Sequence, residues 1–86
     1  MSGYLSERLN ILKSQIVWAV RKEMARTVED VLARRTRALF LDARESIRIA
    51  PETAVIMAKE LNCDEDWIVN QIEDFKRVAK NYYFED

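Results

Sequence analysis

The chain has 86 residues, of which 49% are hydrophobic and 34% are charged, with one glycine and one proline in all. This composition excludes an intrinsically disordered segment and favours a single small domain built of helices, because turns and tight loops draw heavily on glycine and proline. The net charge of −1 excludes a global attraction to nucleic acid, and without histidine the chain has no imidazole for a catalytic triad or a metal site.

The first thirteen residues are predicted to be a linker or the start of the chain. Leu5, Leu9 and Leu12 are spaced as in a helix, so a short helical turn is the alternative interpretation. No partner face is evident for these leucines, and we expect the stretch to be loosely held. The helical domain is predicted to occupy residues 14–86.

The first main helix is predicted from about Ser14 to Ala25, with Ser14 as its N-cap. Ile16 and Met24 lie on one apolar side, and we expect Met24 to fill a gap in the core. Residues 27–30 read Thr-Val-Glu-Asp, a variant of the capping box. This variant predicts that a new, short helix begins at that point.

The middle of the chain is predicted to hold a connector and a long helix. Residues 34–41 are expected to form an irregular or helical connector whose apolar residues pack into the core. A helix from Asp42 to Leu61 follows, because apolar residues recur there at helical spacing. The spacing continues through Pro51, which predicts one kinked helix or two abutting helices and not a domain boundary.

The last helix is predicted from about Glu65 to Tyr82. Asn62 suits the left-handed conformation that often ends a helix, and Asp64 is the expected N-cap of the next one. The predicted fold class is therefore all-α: a small compact array of three main helices plus one or two short helices, with no sheet.

Charge is distributed unevenly along the chain. Residues 1–50 hold 10 basic and 6 acidic side chains, whereas residues 51–86 hold 4 basic and 9 acidic ones. Two interpretations stay open: the halves provide two differently used faces, or their charges pair with each other inside the domain.

One long segment carries a family resemblance. Residues 23–42 read EMARTVEDVLARRTRALFLD, preceded by WAVRK and followed by ESIRIAPETAVIMAKEL and DEDWIVNQIEDF. This run, about residues 14–83, resembles the C-terminal helical domain of FAD-dependent (aerobic-type) glycerol-3-phosphate dehydrogenases and the related alpha-glycerophosphate oxidases. The chain is then expected to be a domain of an enzyme several times larger.

The resemblance implies a parent enzyme that oxidises sn-glycerol 3-phosphate to dihydroxyacetone phosphate through FAD, with a quinone or oxygen as electron acceptor. One glycine cannot form a Gly-rich loop around a dinucleotide, so FAD is expected in the parent and no cofactor in this chain. We expect a catalytically inactive accessory domain with no catalytic, cofactor-binding or metal-binding residue of its own.

The expected partners are the FAD and substrate domains of the parent, or a second copy in a homo-oligomer. Nucleic acid is not expected as a partner. The parent is expected in the cytoplasm, either free or peripheral on the inner face of the cell membrane, and the sequence leaves its membrane contact open.

Arg34, Arg35 and Arg37, here called the arginine segment, are the candidate residues for interdomain contact. Guanidinium groups bind carboxylates and phosphates in forked geometry. Three interpretations compete: pairing with the nearby acids Asp30, Asp42 or Glu29, docking on the flavin domain, or binding nucleic acid or free phosphate. The last is weak, because residues 39–41 beside the segment are apolar and no wider basic face accompanies it.

Trp18 and Trp67 are expected in the core, and either one would indicate an interface if it were exposed. Cys63 is expected to be a small filler residue without a redox role. The alternative function is a freestanding helical protein-interaction module. An exposed apolar or aromatic patch favours the domain of a larger enzyme, whereas a fully polar surface favours the freestanding module.

Overall fold

The computed structural model describes residues 3–36 and 38–80, without the side chains of Arg35, Ala38 and Phe40. Two short strands precede a helical domain whose longest helix packs against most of the others. In chain order the elements are β1 (Tyr4–Ser6), β2 (Ile11–Leu12), α1 (Lys13–Lys22), a π-helix (Asp30–Arg35), α2 (Ala38–Leu41), α3 (Ala43–Leu61) and α4 (Glu65–Ala79).

The prediction that the fold contains no sheet is wrong. Strands β1 and β2 pair antiparallel, with Tyr4 opposite Leu12, and Asn10 takes a left-handed φ of 57° in the turn between them. Leu5 and Ile11 are buried in the core. The first residues therefore form a hairpin that packs against α3, not the loosely held helical turn that the leucine spacing suggested.

Helix α1 begins one residue before the predicted start and ends three residues early. Its N-cap is Leu12, so the prediction of Ser14 as N-cap is wrong, and the Gln15 side chain accepts the Leu12 N–H at 2.6 Å. The helix stops at Lys22, and Met24 has a left-handed φ of 63°. Because the helical phase ends there, Met24 is 67% exposed and does not fill the core as predicted.

The predicted capping box at residues 27–30 is confirmed. The Asp30 N–H donates to Thr27 Oγ1 at 3.0 Å, and the Thr27 N–H donates to Asp30 Oδ2 at 3.2 Å. The helix that follows is a π-helix, closed by the Thr36 N–H on the Val31 carbonyl at 2.9 Å. A π-turn is wider than an α-turn, and here it buries the consecutive residues 31–33 together.

Helix α3 is one continuous helix through Pro51, which settles the choice between one helix and two. Asp42, predicted as the first residue of the helix, is its N-cap and accepts the Glu45 N–H at 3.1 Å. Pro51 lies on the exposed side, where a lost backbone hydrogen bond is least costly. A stripe of small residues faces the other elements and allows close packing: Ser46, Ala50, Ala54 and Ala58.

The corner between α3 and α4 follows the prediction. Asn62 ends α3 with a φ of 59°, and Asp64 caps α4 by accepting the Trp67 N–H at 3.0 Å. Phe75 and Ala79 lie on the buried side of α4. The predicted end at Tyr82, and with it Tyr83 and Phe84, lies outside the described residues.

A polar clasp holds the hairpin on α3. Ser6 is buried and donates from Oγ to Glu45 Oε2, while Arg48 binds the same carboxylate through Nε at 2.8 Å and Nη2 at 2.6 Å. The Arg48 guanidinium first, and the Ser6 hydroxyl second, lower the pKa of Glu45 to about 2. Arg8 adds an ion pair to Asp42 at 2.9 Å.

Ion pairs also join the basic and acidic halves of the sequence. Lys13 Nζ lies 2.9 Å from Glu52 Oε2, and Arg21 Nε lies 2.6 Å from Glu60 Oε1. Both pairs run from α1 to α3. They support the interpretation that the uneven charge distribution reflects pairing inside the domain.

Candidate docking surface around Trp18

Trp18 is the aromatic side chain that the fold leaves in solvent on α1. It is 58% exposed, so the expectation of a core position is wrong for this residue, whereas Trp67 packs against the core. The Lys22 ammonium lies 5.9 Å from the Trp18 ring centroid, within the range of a cation–π contact. A hollow of about 280 Å³ beside the ring is lined by Ser14, Val17, Trp18, Arg21 and Lys22.

A second hollow shares the same ring. It has about 200 Å³ and is lined by Gln15, Trp18, Ala19, Glu23 and Thr36. Thr36 stands in the chain between Arg35 and Arg37. The two hollows, here called the Trp18 surface, therefore extend from the exposed face of α1 to Thr36, which follows Arg34 and Arg35 in the chain.

Arg34 is the arginine of this segment whose side chain the structure describes, and it is loosely held by the acids of the domain. Its side chain is 75% exposed, and Nε lies 4.0 Å from Asp30 Oδ1, the outer limit of an ion pair. Asp30 is already engaged in the capping box, and of the other two predicted partners, Asp42 and Glu29, the former pairs with Arg8. An exposed pair at this distance contributes little to stability, which leaves the guanidinium able to bind an external acceptor.

The rest of the arginine segment cannot be placed with Arg34. The Arg35 side chain and the whole of Arg37 lie outside what the structure describes. Their role in interdomain contact therefore stays a prediction from the sequence.

A contact from α4 fixes the start of the segment that carries these arginines. The Gln71 side chain accepts the Val28 N–H at 2.9 Å, which satisfies a donor that has no partner inside the helix. Val28 itself is buried. The π-helix is thus anchored at its beginning by both the capping box and α4.

The other polar groupings have plain structural roles. Asp64, Glu65 and Asp66 begin α4, where acids favour the positive end of the helix dipole. Cys63 is partly buried, and its Sγ lies 3.8 Å from the Leu61 carbonyl oxygen, as expected for a filler residue. Among residues 3–36 and 38–80, no group of acids and cysteine is arranged to hold a metal ion.

The sequence did contain a sign that Trp18 is exposed, although its apolar neighbours suggested a core position. Arg21 and Lys22 follow it by three and four residues, so Trp18 shares its side of the helix with two charged residues. The buried side is formed by Ile16, Ala19 and Val20 instead. Thr36 carried no comparable signal, because the π-turn that places it depends on the packed core.

The comparisons with known proteins agree with the resemblance. A family model described as the C-terminal domain of alpha-glycerophosphate oxidase matches residues 2–67. A mitochondrial glycerol-3-phosphate dehydrogenase of Schizosaccharomyces pombe is 31% identical over 65 residues, which cover 72% of this chain and 10% of the relative. The chain thus spans about a tenth of the length of this curated relative.

No solved structure matches the chain significantly. The family match covers most of the described hairpin and helices, from before β1 into the first turn of α4. The chain belongs to the family of C-terminal domains of alpha-glycerophosphate oxidase and glycerol-3-phosphate dehydrogenase.

Proposed function

We propose that this domain is the non-catalytic C-terminal accessory domain of a FAD-dependent enzyme that oxidises sn-glycerol 3-phosphate to dihydroxyacetone phosphate. A quinone or oxygen would accept the electrons. The observation that carries the proposal is the family match over residues 2–67, and the much greater length of the yeast relative supports it. Hydride transfer needs a flavin and a substrate pocket, which we assign to the remainder of the enzyme.

The accessory role is to brace the catalytic portion through a docking surface. We assign this surface to the Trp18 surface together with Arg34, Arg35 and Arg37. Exposed aromatic and arginine side chains are enriched in protein interfaces, and Trp18 and Arg34 are both largely exposed here. The partner is the FAD and substrate portion of the same enzyme.

The parent enzyme is proposed to work in the cytoplasm or on the inner face of the cell membrane. Among residues 3–36 and 38–80, no helix is long and apolar enough to cross a bilayer. The yeast relative carries the description mitochondrial, which applies to that protein.

The first experiment measures FAD binding and turnover by the purified 86-residue chain. We expect no saturable FAD binding in isothermal titration calorimetry and no oxidation of glycerol 3-phosphate with an artificial electron acceptor. Tight flavin binding or measurable turnover would contradict the assignment.

The second experiment mixes this domain with the flavin-bearing portion of the enzyme, expressed separately. We expect Trp18→Ala and Arg34→Ala to weaken the association by about tenfold each, the effect of losing roughly 1.4 kcal/mol at an interface. Val69→Ala is the matched control, because Val69 is exposed on α4 away from the Trp18 surface. Failure to associate at all would favour the freestanding interaction module.

A further inference from the structure

Met24 is the least expected residue at its position in the fold. Three described residues other than glycine have positive φ, and the other two, Asn10 and Asn62, are asparagines, which tolerate this conformation well. Met24 adopts it at 63° and leaves its thioether largely in solvent. Burial of an apolar side chain normally stabilises the fold. Met24 is not buried, and its backbone is in an unfavourable conformation.

A guanidinium lies next to the exposed sulfur. Arg26 Nη2 lies 3.8 Å from Met24 Sδ, and Arg26 Nη1 donates to the Ala25 carbonyl at 2.9 Å. The buried Ala25 side chain and the bond from its N–H to the Ala19 carbonyl hold this backbone in place. The cation is therefore positioned beside the sulfur before any reagent arrives.

We propose that Met24 is a modification site that reacts with peroxide, and that Arg26 assists its conversion to methionine sulfoxide. A sulfur lone pair attacks one peroxide oxygen, the S–O bond forms and the O–O bond breaks. The departing oxygen takes up the proton that the transferred oxygen loses and leaves as water. The sulfur loses two electrons and the peroxide gains them, so no further reductant or oxidant is needed.

Arg26 acts on the charge that develops during this step. The departing oxygen becomes negative as the O–O bond stretches, and a guanidinium hydrogen bond stabilises it. After the reaction the sulfoxide oxygen accepts a hydrogen bond from the same group more strongly than the thioether sulfur did. Arg26 thus contacts the departing oxygen directly, and its effect is separable from mere exposure of Met24.

Met57 provides an internal control in the same molecule. It is fully buried on the core side of α3, so its oxidation requires the domain to open. The proposal concerns the chain alone and does not depend on the proposed function. Failure of one therefore leaves the other untouched.

The test is a time course with hydrogen peroxide on the purified chain, containing N-acetylmethioninamide as an exposed reference thioether. Peptide mapping by mass spectrometry gives separate sulfoxide yields for Met24 and Met57. We expect Met24 to react at least about tenfold faster than Met57, because burial protects the latter. Met24 should also react roughly threefold faster than the reference, because only Met24 has a fixed guanidinium.

Variants separate the role of Arg26 from that of the fold. Arg26→Gln should reduce the Met24 rate to about that of the reference compound while leaving Met57 protected. Arg77→Gln removes another exposed arginine, on α4, and should leave the Met24 rate unchanged. Equal rates at the two methionines would overturn the proposal. A Met24 rate in the wild-type chain no higher than that of the reference compound would overturn it too, and this measurement does not require any variant to fold.

Discussion

Replacing Glu45 by glutamine tests whether the polar clasp holds the hairpin on the helical domain. Glu45 is only 8% exposed, and it accepts hydrogen bonds from Ser6 and Arg48. Glutamine keeps the size of the side chain but removes the charge, and it replaces one of the two acceptor oxygens with an NH2 donor group. The buried Ser6 hydroxyl then competes for a weaker acceptor, and Arg48 loses its forked partner.

The expected loss of stability is about 1–3 kcal/mol. A hydrogen bond to a charged group contributes roughly 1.5–3 kcal/mol. The Arg48 contribution is discounted, because 63% of its side chain is in solvent, where water replaces the carboxylate. Since the unfolding of an 86-residue domain costs only roughly 4–13 kcal/mol, the change is large, and it should lower the Tm by about 4–8 °C per kcal/mol.

The pH dependence gives a second readout with a defined sign. The folded state lowers the pKa of Glu45 from 4.5 to about 2. The carboxylate therefore stabilises the fold fully above about pH 5, and this contribution is lost as the pH falls towards 2. The difference in stability between wild type and Glu45→Gln should shrink over that range, because protonated wild type resembles the variant.

Thermal unfolding and hydrogen exchange together check the reasoning. We expect the amides of residues 4–12 to lose protection more than those of α4, because the clasp joins the hairpin to α3. Glu52→Gln is the control, since Glu52 pairs with Lys13 on the surface and should change stability by less than about 0.5 kcal/mol. An equally small effect at Glu45 would refute the clasp.

Three further substitutions test local features by chemical unfolding. Pro51→Ala should stabilise the domain by about 1–3 kcal/mol, because it restores a helical N–H on the exposed side of α3. Asn62→Ala should destabilise it by about 1–2 kcal/mol through the left-handed backbone, whereas the exposed mid-helix control Asn70→Ala should not. Gln71→Ala should lower the stability by about 1 kcal/mol, because it leaves the Val28 N–H without its acceptor. For each of the three substitutions, an unchanged free energy of unfolding would contradict the cause stated for it.

The C-terminal half could be predicted because its signals are local. Asp42, Asn62 and Asp64 each act within one helical turn of their own position. The structure shows Asn62 and Asp64 in the predicted capping roles, and Asp42, the predicted start of α3, as its N-cap. The apolar period continued through Pro51 because the helix does. Little beyond neighbouring residues was needed to place these two helices.

The hairpin could not be predicted for the opposite reason. Its strands contain three and two residues, too few for an alternating pattern to be visible. What holds it is the contact between Ser6 and Glu45, which are 39 residues apart in the sequence. Asn10, which suits a left-handed turn residue, was the one local sign of the turn.

The docking surface lies between these two cases. The arginine segment was visible in the sequence as a cluster, whereas the position of Thr36 at the second hollow beside Trp18 depends on the π-helix that Thr36 ends. The α-helical spacing of apolar residues could not reveal the position of Thr36. Burying the consecutive residues 31–33 together requires a turn wider than that of an α-helix.

The internal ion pairs explain part of the excess of basic residues in the first half of the chain. Arg8 and Arg21 bind acids of the same domain, so their charge is largely used in holding α1 and the hairpin against α3. Arg34 differs, since its one described acid partner lies at 4.0 Å and is already engaged by the capping box. Folding therefore accounts for much of the charge asymmetry but not for Arg34 or the exposed Trp18. This remainder has the chemistry of an interface, which agrees with the docking surface that we propose.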